Sequence, residues 1–394
     1  MPETKNLRDA QIAFICTEIG RGHPFYLDGL IAALRAEYPR ITYHRSDVFT
    51  LSRGVALNLW RAVERLYRIG SSGGMISEGY NRLRKILGSQ TRPGLASGIL
   101  GRDIRKALAG FGGVVVVSHP LLASLLAHSY RLVYQHGELA APDEAIVAGC
   151  AKTLVPTSQT AALFTARGIS PEGVFVSGQC IELDLVGPAK MAFEQRMRRL
   201  SGTNSLVVGL FSSGAYPRDH LRRLRLAATS LVKAGHNVIY FAGLSEKMAG
   251  EFERYLWTSS LPSIGKDALN ERATVLYASD RTSFDTQVAA HFARLDLFLA
   301  PAHERTNWAV GLGIPQLIIC PHLGSYAPLN GSIAVAQGVA TEIVDDNMAR
   351  NIAEIIAHYR STGYLSSMAA NGFGRYPLNG FSRCAGEVAA IAAA

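Results

Sequence analysis

The sequence lacks the paired cysteines that a disulfide framework or a zinc finger needs. Its five cysteines contain no CxxC pair and lie far apart, at Cys16, Cys150, Cys180, Cys320 and Cys384. This pattern predicts free thiols in a reducing compartment and no zinc site. Charged residues are also scarce, at 18% of 394 residues, whereas 48% are hydrophobic, and this balance excludes a disordered chain.

The sequence also lacks the signatures of several enzyme classes. It has no GxxxxGK[ST] phosphate loop, no HExxH zinc motif and no Ser-His-Asp order around a nucleophile elbow, which disfavours P-loop kinases, metallopeptidases and α/β hydrolases. The polar N-terminus, MPETKNLRDA, predicts no signal peptide and hence a cytoplasmic protein. Residues 107–130 carry no charge, but Ser118-His119-Pro120 interrupts them, which favours a strand, a turn and a helix over a membrane span.

Two successive series of apolar strands alternate with helical stretches. The first is predicted at 11–17, 41–49, 113–118, 131–137, 152–158 and 173–179, and the second at 205–213, 236–243, 273–279, 295–301 and 315–321. Such alternation predicts an α/β fold of two Rossmann-like, doubly wound domains facing across a cleft. The domains are expected at 1–187 and 205–372, with a linker at 188–204 and a C-terminal helix, 373–394, crossing back to the first domain.

Loops at the carboxyl ends of parallel strands are where doubly wound folds bind ligands. After the first strand, Gly22 permits close backbone approach, and His23 is placed to act as a general base or to cap the next helix. After the first strand of the second domain, the small residues of Ser212–Gly214 predict either a diphosphate-binding turn or an ordinary tight turn.

The most unusual stretch is polar, rich in glycine and uncharged apart from any protonated histidine, and it runs from Asn307 to Thr341. Such composition between buried strands fits a pocket for a sugar nucleotide, in which hydroxyl and N–H groups hold the ligand. The candidate residues here and just before it are His303, Glu304, Thr306, Asn307, Gly324, Ser325, Tyr326 and Asn330.

Positive charge is concentrated in one window. The formal net charge of the chain is +9, and residues 53–106 contain eleven Lys or Arg against three acids, a net charge of +8. A basic face and an apolar face with Trp60 predict either a helix lying on an anionic membrane surface or an amphipathic helix packed on its own domain. No nucleic-acid motif accompanies the charge. The membrane-facing candidates are Trp60, Arg61, Arg65, Arg68, Arg82, Arg84 and Lys85, with Leu59 and Tyr67 beside them.

Taken in order along the chain, several segments resemble one branch of the two-domain GT-B glycosyltransferases. It includes the monogalactosyldiacylglycerol synthases, processive diacylglycerol glucosyltransferases and the peptidoglycan N-acetylglucosaminyltransferase. The similar segments are Gly20-Arg21-Gly22-His23, VVVVSHPLLASLL at 114–126, the strand-helix-RGI-VxG order at 150–182, and PHLGSYAPLNGSIAVAQGVATEI at 321–343, with Asn330 at the family's asparagine.

This resemblance implies a metal-independent, inverting transfer of a sugar from a nucleotide donor, most simply UDP-linked, to a membrane lipid such as diacylglycerol. His23 would be the base, with His136 or Glu138 as helper or substitute, and the protein would associate with the inner face of the membrane. The donor site would also include Gly22, Gly243, Tyr277 and Ala278. No cofactor and no metal would be needed besides the nucleotide sugar itself.

Two departures from the family pattern leave other functions open. The Glu that holds the donor ribose in the family is missing before Gly313-Ile314-Pro315, and Gln135-His136-Gly137-Glu138 stands where many lipid galactosyltransferases have Asp. The alternatives are a non-catalytic binding protein of the same fold, a sugar-nucleotide epimerase, and an enzyme that glycosylates a soluble small molecule.

Overall fold

The structure is a computed structural model that describes residues 3–19, 22–70 and 95–394, and the chain forms two compact units. The first unit contains Met1–Leu183 and Pro377–Ala394, and the second contains Asp184–Tyr376. Residues 188–204, which the sequence predicts as a linker, belong to the second unit. They include the helix Ala189–Ser201, whose Leu200 lies in the core of that unit.

The strands of the first unit are β1 (Ile12–Cys16), β2 (Tyr43–Asp47), β3 (Val114–Val117), β4 (Leu132–Gln135), β5 (Lys152–Val155) and β6 (Val174–Val176). Those of the second are β7 (Val207–Phe211), β8 (Asn237–Phe241), β9 (Ala273–Leu276), β10 (Leu297–Ala300), β11 (Gln316–Ile319) and β12 (Ala340–Ile343). Every pairing within the two sheets is parallel. The central strands are buried along their length because helices cover both faces of such sheets.

The helices of the first half are α1 (Gly22–Glu37), α2 (Val48–Leu51), α3 (Gly54–Gly70), α4 (Leu95–Ala107), α5 (Pro120–Leu126), α6 (Ser158–Thr165) and α7 (Leu183–Val186). Those that follow are α8 (Ala189–Ser201), α9 (Arg218–Lys233), α10 (Glu246–Ile264), α11 (Lys266–Arg272), α12 (Arg281–Phe292), α13 (Thr306–Leu312), α14 (Tyr326–Ala336), α15 (Asp346–Arg350), α16 (Ile352–Ser361), α17 (Tyr364–Gly372) and α18 (Gly380–Ala393). Short 3₁₀ turns occur at Leu7–Asp9, Asp143–Ala145 and Pro171–Gly173.

The order of the strands locates the ligand-binding edge of each sheet. The first sheet runs β2-β1-β3-β4-β5-β6, and the second runs β12-β11-β10-β7-β8-β9. The direction of winding therefore reverses between β1 and β3 in the first unit and between β7 and β10 in the second. In open α/β sheets the crevice outside the carboxyl ends of strands at this reversal point is the usual ligand site. The prediction of two Rossmann-like, doubly wound domains is confirmed.

One strand of the second sheet is missing from the sequence prediction. Eleven of the twelve strands among the described residues coincide with the predicted ones, but β12 does not. It is four residues long, includes the charged Glu342, and pairs only with β11 at the edge of the sheet. The stretch 307–341, predicted as a pocket-forming region, also contains the helices α13 and α14 and the strand β11.

Helix α3 packs on its own unit, so the prediction that Trp60 inserts into a membrane is wrong. The Trp60 side chain is fully buried in the core, and its indole N–H donates to the carbonyl of Leu100 at 3.2 Å. Leu59 and Tyr67 pack against the same core. The amphipathic pattern could not distinguish a membrane surface from the protein core, because a helix that packs against either one has the same apolar stripe.

The basic face of α3 is directed away from this core, and Arg61, Arg65 and Arg68 are exposed. The predicted membrane-facing residues Arg82, Arg84 and Lys85 lie outside the described residues, as do Gly20 and Arg21 of the glycine loop. Within the described part of the chain, no helix has both the length and the apolar composition needed to cross a bilayer.

The packing of α17 on α13 depends on Gly372, because a Cβ there would collide with the carbonyl oxygen of Ala309. We expect Gly372→Ala to lower the free energy of unfolding by about 1–3 kcal/mol, since a backbone atom cannot move aside as a side chain can. Gly250→Ala, within α10, is the matched control: its Cβ would meet nothing within 4 Å, so helix propensity should raise stability by up to about 1 kcal/mol. Urea unfolding of both variants tests this, and equal stability would contradict the packing described.

Candidate functional site

The loop after β7 begins the candidate site of the second unit. The hydroxyl groups of Ser212 and Ser213 are buried, and neither has a hydrogen-bond partner within the described chain. Tyr216, in the same loop, has φ of 48°, a left-handed conformation that residues other than glycine rarely adopt. Its hydroxyl donates to the carbonyl of Ala242 at 2.7 Å, which fixes the loop. Strained backbone of this kind concentrates at functional sites.

The loop after β10 supplies a cation that sequence reasoning missed. The Arg305 guanidinium carbon lies 4.5 Å from the ring centroid of Phe211, at the end of β7, and 5.3 Å from that of Trp308. Its Nη1 is 3.1 Å from Oε1 of Glu304, and the side chain is 12% exposed. Stacking and the ion pair hold the planar guanidinium in place, while its Nε finds no acceptor in the described part of the molecule.

The loop after β11 and the helix that follows it contact the β10 loop and helix α9. Asn330, on α14, donates its side-chain N–H to the carbonyl of Ala302 at 3.3 Å, which ties α14 to the β10 loop. His220, on α9, has its Nε2 2.8 Å from the carbonyl of Pro321. A carbonyl only accepts, so Nε2 carries the ring proton and Nδ1 presents a lone pair, which is buried without a partner among the described residues.

Burial acts on two of the histidines near these loops, His220 and His303. Burial lowers the pKa of His220 from 6.5 to about 4, and it also lowers the pKa of His303. The loss of hydration disfavours the imidazolium form in both cases. His220 therefore serves as a hydrogen-bond acceptor at Nδ1, whereas Arg305 supplies fixed positive charge.

Several of the buried polar atoms that have no hydrogen-bond partner among the described residues lie at the carboxyl ends of β7, β10 and β11. They include Ser212 Oγ, Ser213 Oγ, His220 Nδ1, Arg305 Nε, Thr306 Oγ1, His322 Nδ1 and Ser325 Oγ. Buried polar groups in folded proteins are almost always hydrogen-bonded, so a concentration of exceptions indicates that a polar ligand completes them. Hydroxyl groups, an acceptor nitrogen and a guanidinium suit a ligand that is both anionic and rich in hydroxyl groups.

The predicted donor residues after β8 and β9 form an adjoining turn. The N–H of Ala278 donates to the carbonyl of Gly243 at 3.1 Å, and the Tyr277 hydroxyl donates to Oε1 of Glu246 at 3.2 Å. Gly243 has φ of 71°, a conformation that suits glycine. The structure thus joins these residues to each other beside the β7 loop, and their role in donor binding stays a prediction, as does that of Gly214 and Gly324.

In the first unit, two histidines meet at the reversal point between β1 and β3. The ring centroids of His23 and His119 are 4.5 Å apart. Ser118 donates to the carbonyl of His23 at 2.6 Å and so ties the end of β3 to the start of α1. Nδ1 of His119 accepts the N–H of Leu121 at 3.1 Å, which places its ring proton on Nε2. His23 is only half-buried, so its ring is accessible to a reactant.

His136 is not placed to act as the helper base that the sequence suggests. Its Nε2 donates to the carbonyl of Ala140 at 3.0 Å, and its Nδ1 accepts from the hydroxyl of Tyr134 at 3.2 Å. Because both nitrogens are occupied and the ring is buried, no lone pair is left for a substrate proton. The residue instead fixes the turn after β4, where Glu138 also lies, 8% exposed.

Because His136 is buried, we expect the folded protein to lose stability as the pH is lowered. Burial lowers the pKa of His136 from 6.5 to about 3, so between these values the unfolded chain binds a proton that the folded chain does not. The stability contributed is complete above pH 6.5 and falls by about 1.4 kcal/mol per pH unit as the pH decreases toward 3. We expect His136→Gln, whose amide also offers one donor and one acceptor, to lose this dependence. Urea unfolding at pH 7.5 and pH 5 tests this, with His128→Gln, an exposed site, as control; an unchanged slope in His136→Gln would contradict the assignment.

The sequence matches no protein-family model and no curated protein. The fold, in contrast, is shared with solved structures. The chain is similar to the UDP-GlcNAc 2-epimerase of Neisseria meningitidis bound to UDP-GlcNAc, with a TM-score of 0.56, 13% identity, and 96% of this chain and 98% of that chain covered. It is similar to S. aureus MnaA in a co-structure with UDP, with a TM-score of 0.55, 11% identity and coverages of 96% and 94%.

A third similar structure is the Methanocaldococcus jannaschii UDP-GlcNAc 2-epimerase in complex with UDP-GlcNAc and UDP, with a TM-score of 0.50, 14% identity, and coverages of 96% and 98%. At such identities the similarity establishes the fold over nearly the whole chain. The predicted GT-B class of two Rossmann-like domains is therefore confirmed.

These comparisons correct the functional prediction. Transfer of a sugar to a membrane lipid was inferred from resemblance to the lipid glycosyltransferase branch, and that inference is contradicted, because the similar structures found across the chain include several UDP-GlcNAc 2-epimerases. The specific branch is not supported either. Fold alone does not determine the reaction.

Proposed function

We propose that the protein is an enzyme that binds a UDP-linked sugar through its second unit and changes the sugar, with epimerisation at C2 of UDP-N-acetylglucosamine as the reaction to test first. The observation that carries this proposal is the group of unpaired buried polar atoms at the ends of β7, β10 and β11. The titles of the similar structures, which name UDP and UDP-GlcNAc, suggest the ligand class.

Charge supports a diphosphate at this position. Arg305 is the cation held between Phe211 and Trp308, and a guanidinium matches the geometry of phosphate oxygens. The helices α9 and α14 begin next to the loops that follow β7 and β11, so their N-terminal N–H groups add positive potential there. Departure of UDP from a sugar leaves negative charge on the diphosphate, and fixed positive groups stabilise it.

The remaining polar atoms suit the hydroxyl-bearing parts of a nucleotide sugar. The hydroxyls of Ser212, Ser213, Thr306 and Ser325 can each donate or accept, whereas Nδ1 of His220 can only accept. A simple inorganic anion would pair with the donors alone and would leave the His220 acceptor unsatisfied. A ligand that combines phosphate with sugar hydroxyls satisfies both kinds of group.

Inverting C2 of the sugar requires a proton to leave and a proton to return, so acid–base groups are needed. In the first unit, His23 and Glu138 are the candidates that keep this role, since His136 uses both nitrogens internally. The ring of His119 lies against that of His23, with the two planes tilted by 57°, and is a candidate for orienting it.

Incubation with UDP-GlcNAc in D₂O, followed by proton NMR, tests the proposed reaction. An epimerase that removes the C2 proton gives the C2 isomer with deuterium at C2, and it exchanges that position in recovered substrate if the step is reversible. Formation of free sugar and UDP would indicate that the enzyme hydrolyses the bond between the sugar and the diphosphate. Binding of UDP-GlcNAc without deuterium incorporation or a new sugar would contradict an enzyme and favour a binding protein.

Association with an anionic membrane surface stays a prediction, carried by the exposed side chains of Arg61, Arg65 and Arg68 and by the exposed Leu66 beside them. Replacing the three arginines by Glu should remove several kcal/mol of adsorption, at about 1 kcal/mol per charge. Sedimentation with vesicles rich in phosphatidylserine at low salt measures this. Equal sedimentation of the wild type and the triple variant would show that the basic face of α3 has no such role.

A further inference from the structure

A cysteine, a histidine and a glutamate converge at the edge of the second sheet. The Sγ of Cys320, a ring nitrogen of His322 and a carboxylate oxygen of Glu342 all lie within 4.8 Å of one another. Nε2 of His322 is 2.8 Å from Oε1 of Glu342 and 3.9 Å from Sγ of Cys320. The function proposed above uses none of these three side chains, and the inference below does not depend on that function.

The strand register explains why these side chains meet. Ile318 of β11 pairs with Glu342 of β12, and side chains two residues apart share a face, so Cys320 and Glu342 point the same way. The N–H of Cys320 donates to the carbonyl of Ile343 at 3.2 Å, which extends the pairing to the cysteine. The cluster is therefore built into adjacent strands.

The ring of His322 packs closely against Gly331 on α14. A Cβ at Gly331 would lie 2.8 Å from Cε1 of His322, so only glycine leaves room for the ring. Both neighbours of the ring, Cys320 and Glu342, approach Nε2. A Cys-His-Glu catalytic triad would place the acid on the opposite nitrogen, Nδ1. Three donor atoms around one point are instead the arrangement of metal ligands.

The tautomer of His322 permits a metal at Nε2. Coordination there requires the ring proton to sit on Nδ1, and Nδ1 accepts no hydrogen bond within the described residues that would prevent this. Arg223 lies nearby and donates to the carbonyl of Cys320; its Nε is 3.2 Å from Asp346, a carboxylate that it shares with Arg222. A thiolate and a carboxylate would balance the two charges of a divalent cation.

We propose that Cys320, His322 and Glu342 bind a zinc ion, with a fourth position open to water or another ligand. Sulfur and imidazole donors favour zinc over magnesium or calcium, and a tetrahedral site with the usual bond lengths brings its ligands about 3.3–3.6 Å apart. Small side-chain rotations reach these separations from those observed. The zinc ion joins β12 to the segment between β11 and α14, which also carries Ser325.

Cobalt substitution and zinc analysis test the site on the full-length protein, without any nucleotide. The wild type should bind one equivalent of zinc, and the cobalt form should show a thiolate-to-cobalt charge-transfer band. Cys320→Ser should lose the band, whereas Cys150→Ser, which removes a half-buried thiol outside the cluster, should keep it. Glu342→Gln, at a half-exposed edge position, should weaken zinc binding at least tenfold while preserving the fold.

Three results would overturn the proposal: no stoichiometric zinc, a cobalt form without the thiolate band, or equal zinc affinity in wild type and Glu342→Gln. Circular dichroism of each variant separates loss of metal from loss of fold. Titration of zinc-loaded and EDTA-treated protein with UDP keeps this test distinct from the proposed function, because zinc can bind whether or not UDP does.

Discussion

If the proposed function is right, replacing Arg305 by alanine should weaken the binding of UDP by about 10- to 100-fold, the equivalent of the 1.5–3 kcal/mol that a hydrogen bond to a charged group contributes. The guanidinium is the buried cation among the loops after β7 and β10, and its position is set by Phe211, Trp308 and Glu304. Isothermal titration calorimetry of the variant and the wild type measures the difference.

Two variants make this result specific. Arg305→Lys keeps the charge but loses the planar fork, so its affinity for UDP should fall between those of the wild type and Arg305→Ala. Arg294→Ala removes an exposed arginine that precedes β10, at the opposite end of that strand, and should bind UDP as the wild type does. An affinity of Arg305→Ala equal to that of Arg294→Ala would remove Arg305 from the site.

On the proposed function, replacing His23 by alanine should lower turnover of the nucleotide sugar by about 10²–10⁴-fold, the usual contribution of a general acid–base group, and should leave the affinity for UDP unchanged. The residue is half-buried at the end of β1, against His119, and its ring is accessible. Initial rates and the rate of deuterium incorporation at C2 both report the loss.

The matched control for His23 is His128→Ala, an exposed histidine of the same unit that lies outside the cluster at the ends of β1 and β3. It should turn over at the wild-type rate. Near-normal turnover of His23→Ala would move the acid–base role to Glu138, and a Glu138→Gln variant with normal turnover as well would exclude both.

The central strands were predictable because each of them is a short run of consecutive apolar residues, which indicates a strand that is buried on both faces. Segments such as 114–117, four consecutive valines, leave little choice but a buried strand. Strand β12 was not predictable in this way, because Glu342 interrupts its apolar residues. The strand is held by pairing with β11, from which helix α14 separates it in the sequence. Trp60 shows a second limit: an apolar stripe specifies that a face is buried but does not say against what.

The sequence predicted where the candidate site lies, but only some of the residues that form it. The rule that ligands bind beyond the carboxyl ends of strands selected Ser212, Ser213 and Thr306, whose hydroxyls are buried and find no partner in the described part of the chain. It did not find Arg305, whose role depends on stacking against Phe211 almost a hundred residues away. The role of His136 failed because hydrogen bonds at both ring nitrogens are a tertiary property that spacing does not reveal.

A crystal structure of the protein with saturating UDP-GlcNAc tests the central claim most directly. The account predicts that the diphosphate lies within hydrogen-bonding distance of Arg305 and of the Ser212 and Ser213 hydroxyls, and that a ligand hydroxyl donates to Nδ1 of His220. Arg305 Nε, the two serine hydroxyls and Nδ1 of His220 are buried and have no hydrogen-bond partner among the described residues. A nucleotide bound elsewhere, in contact with none of these four atoms, would contradict the account.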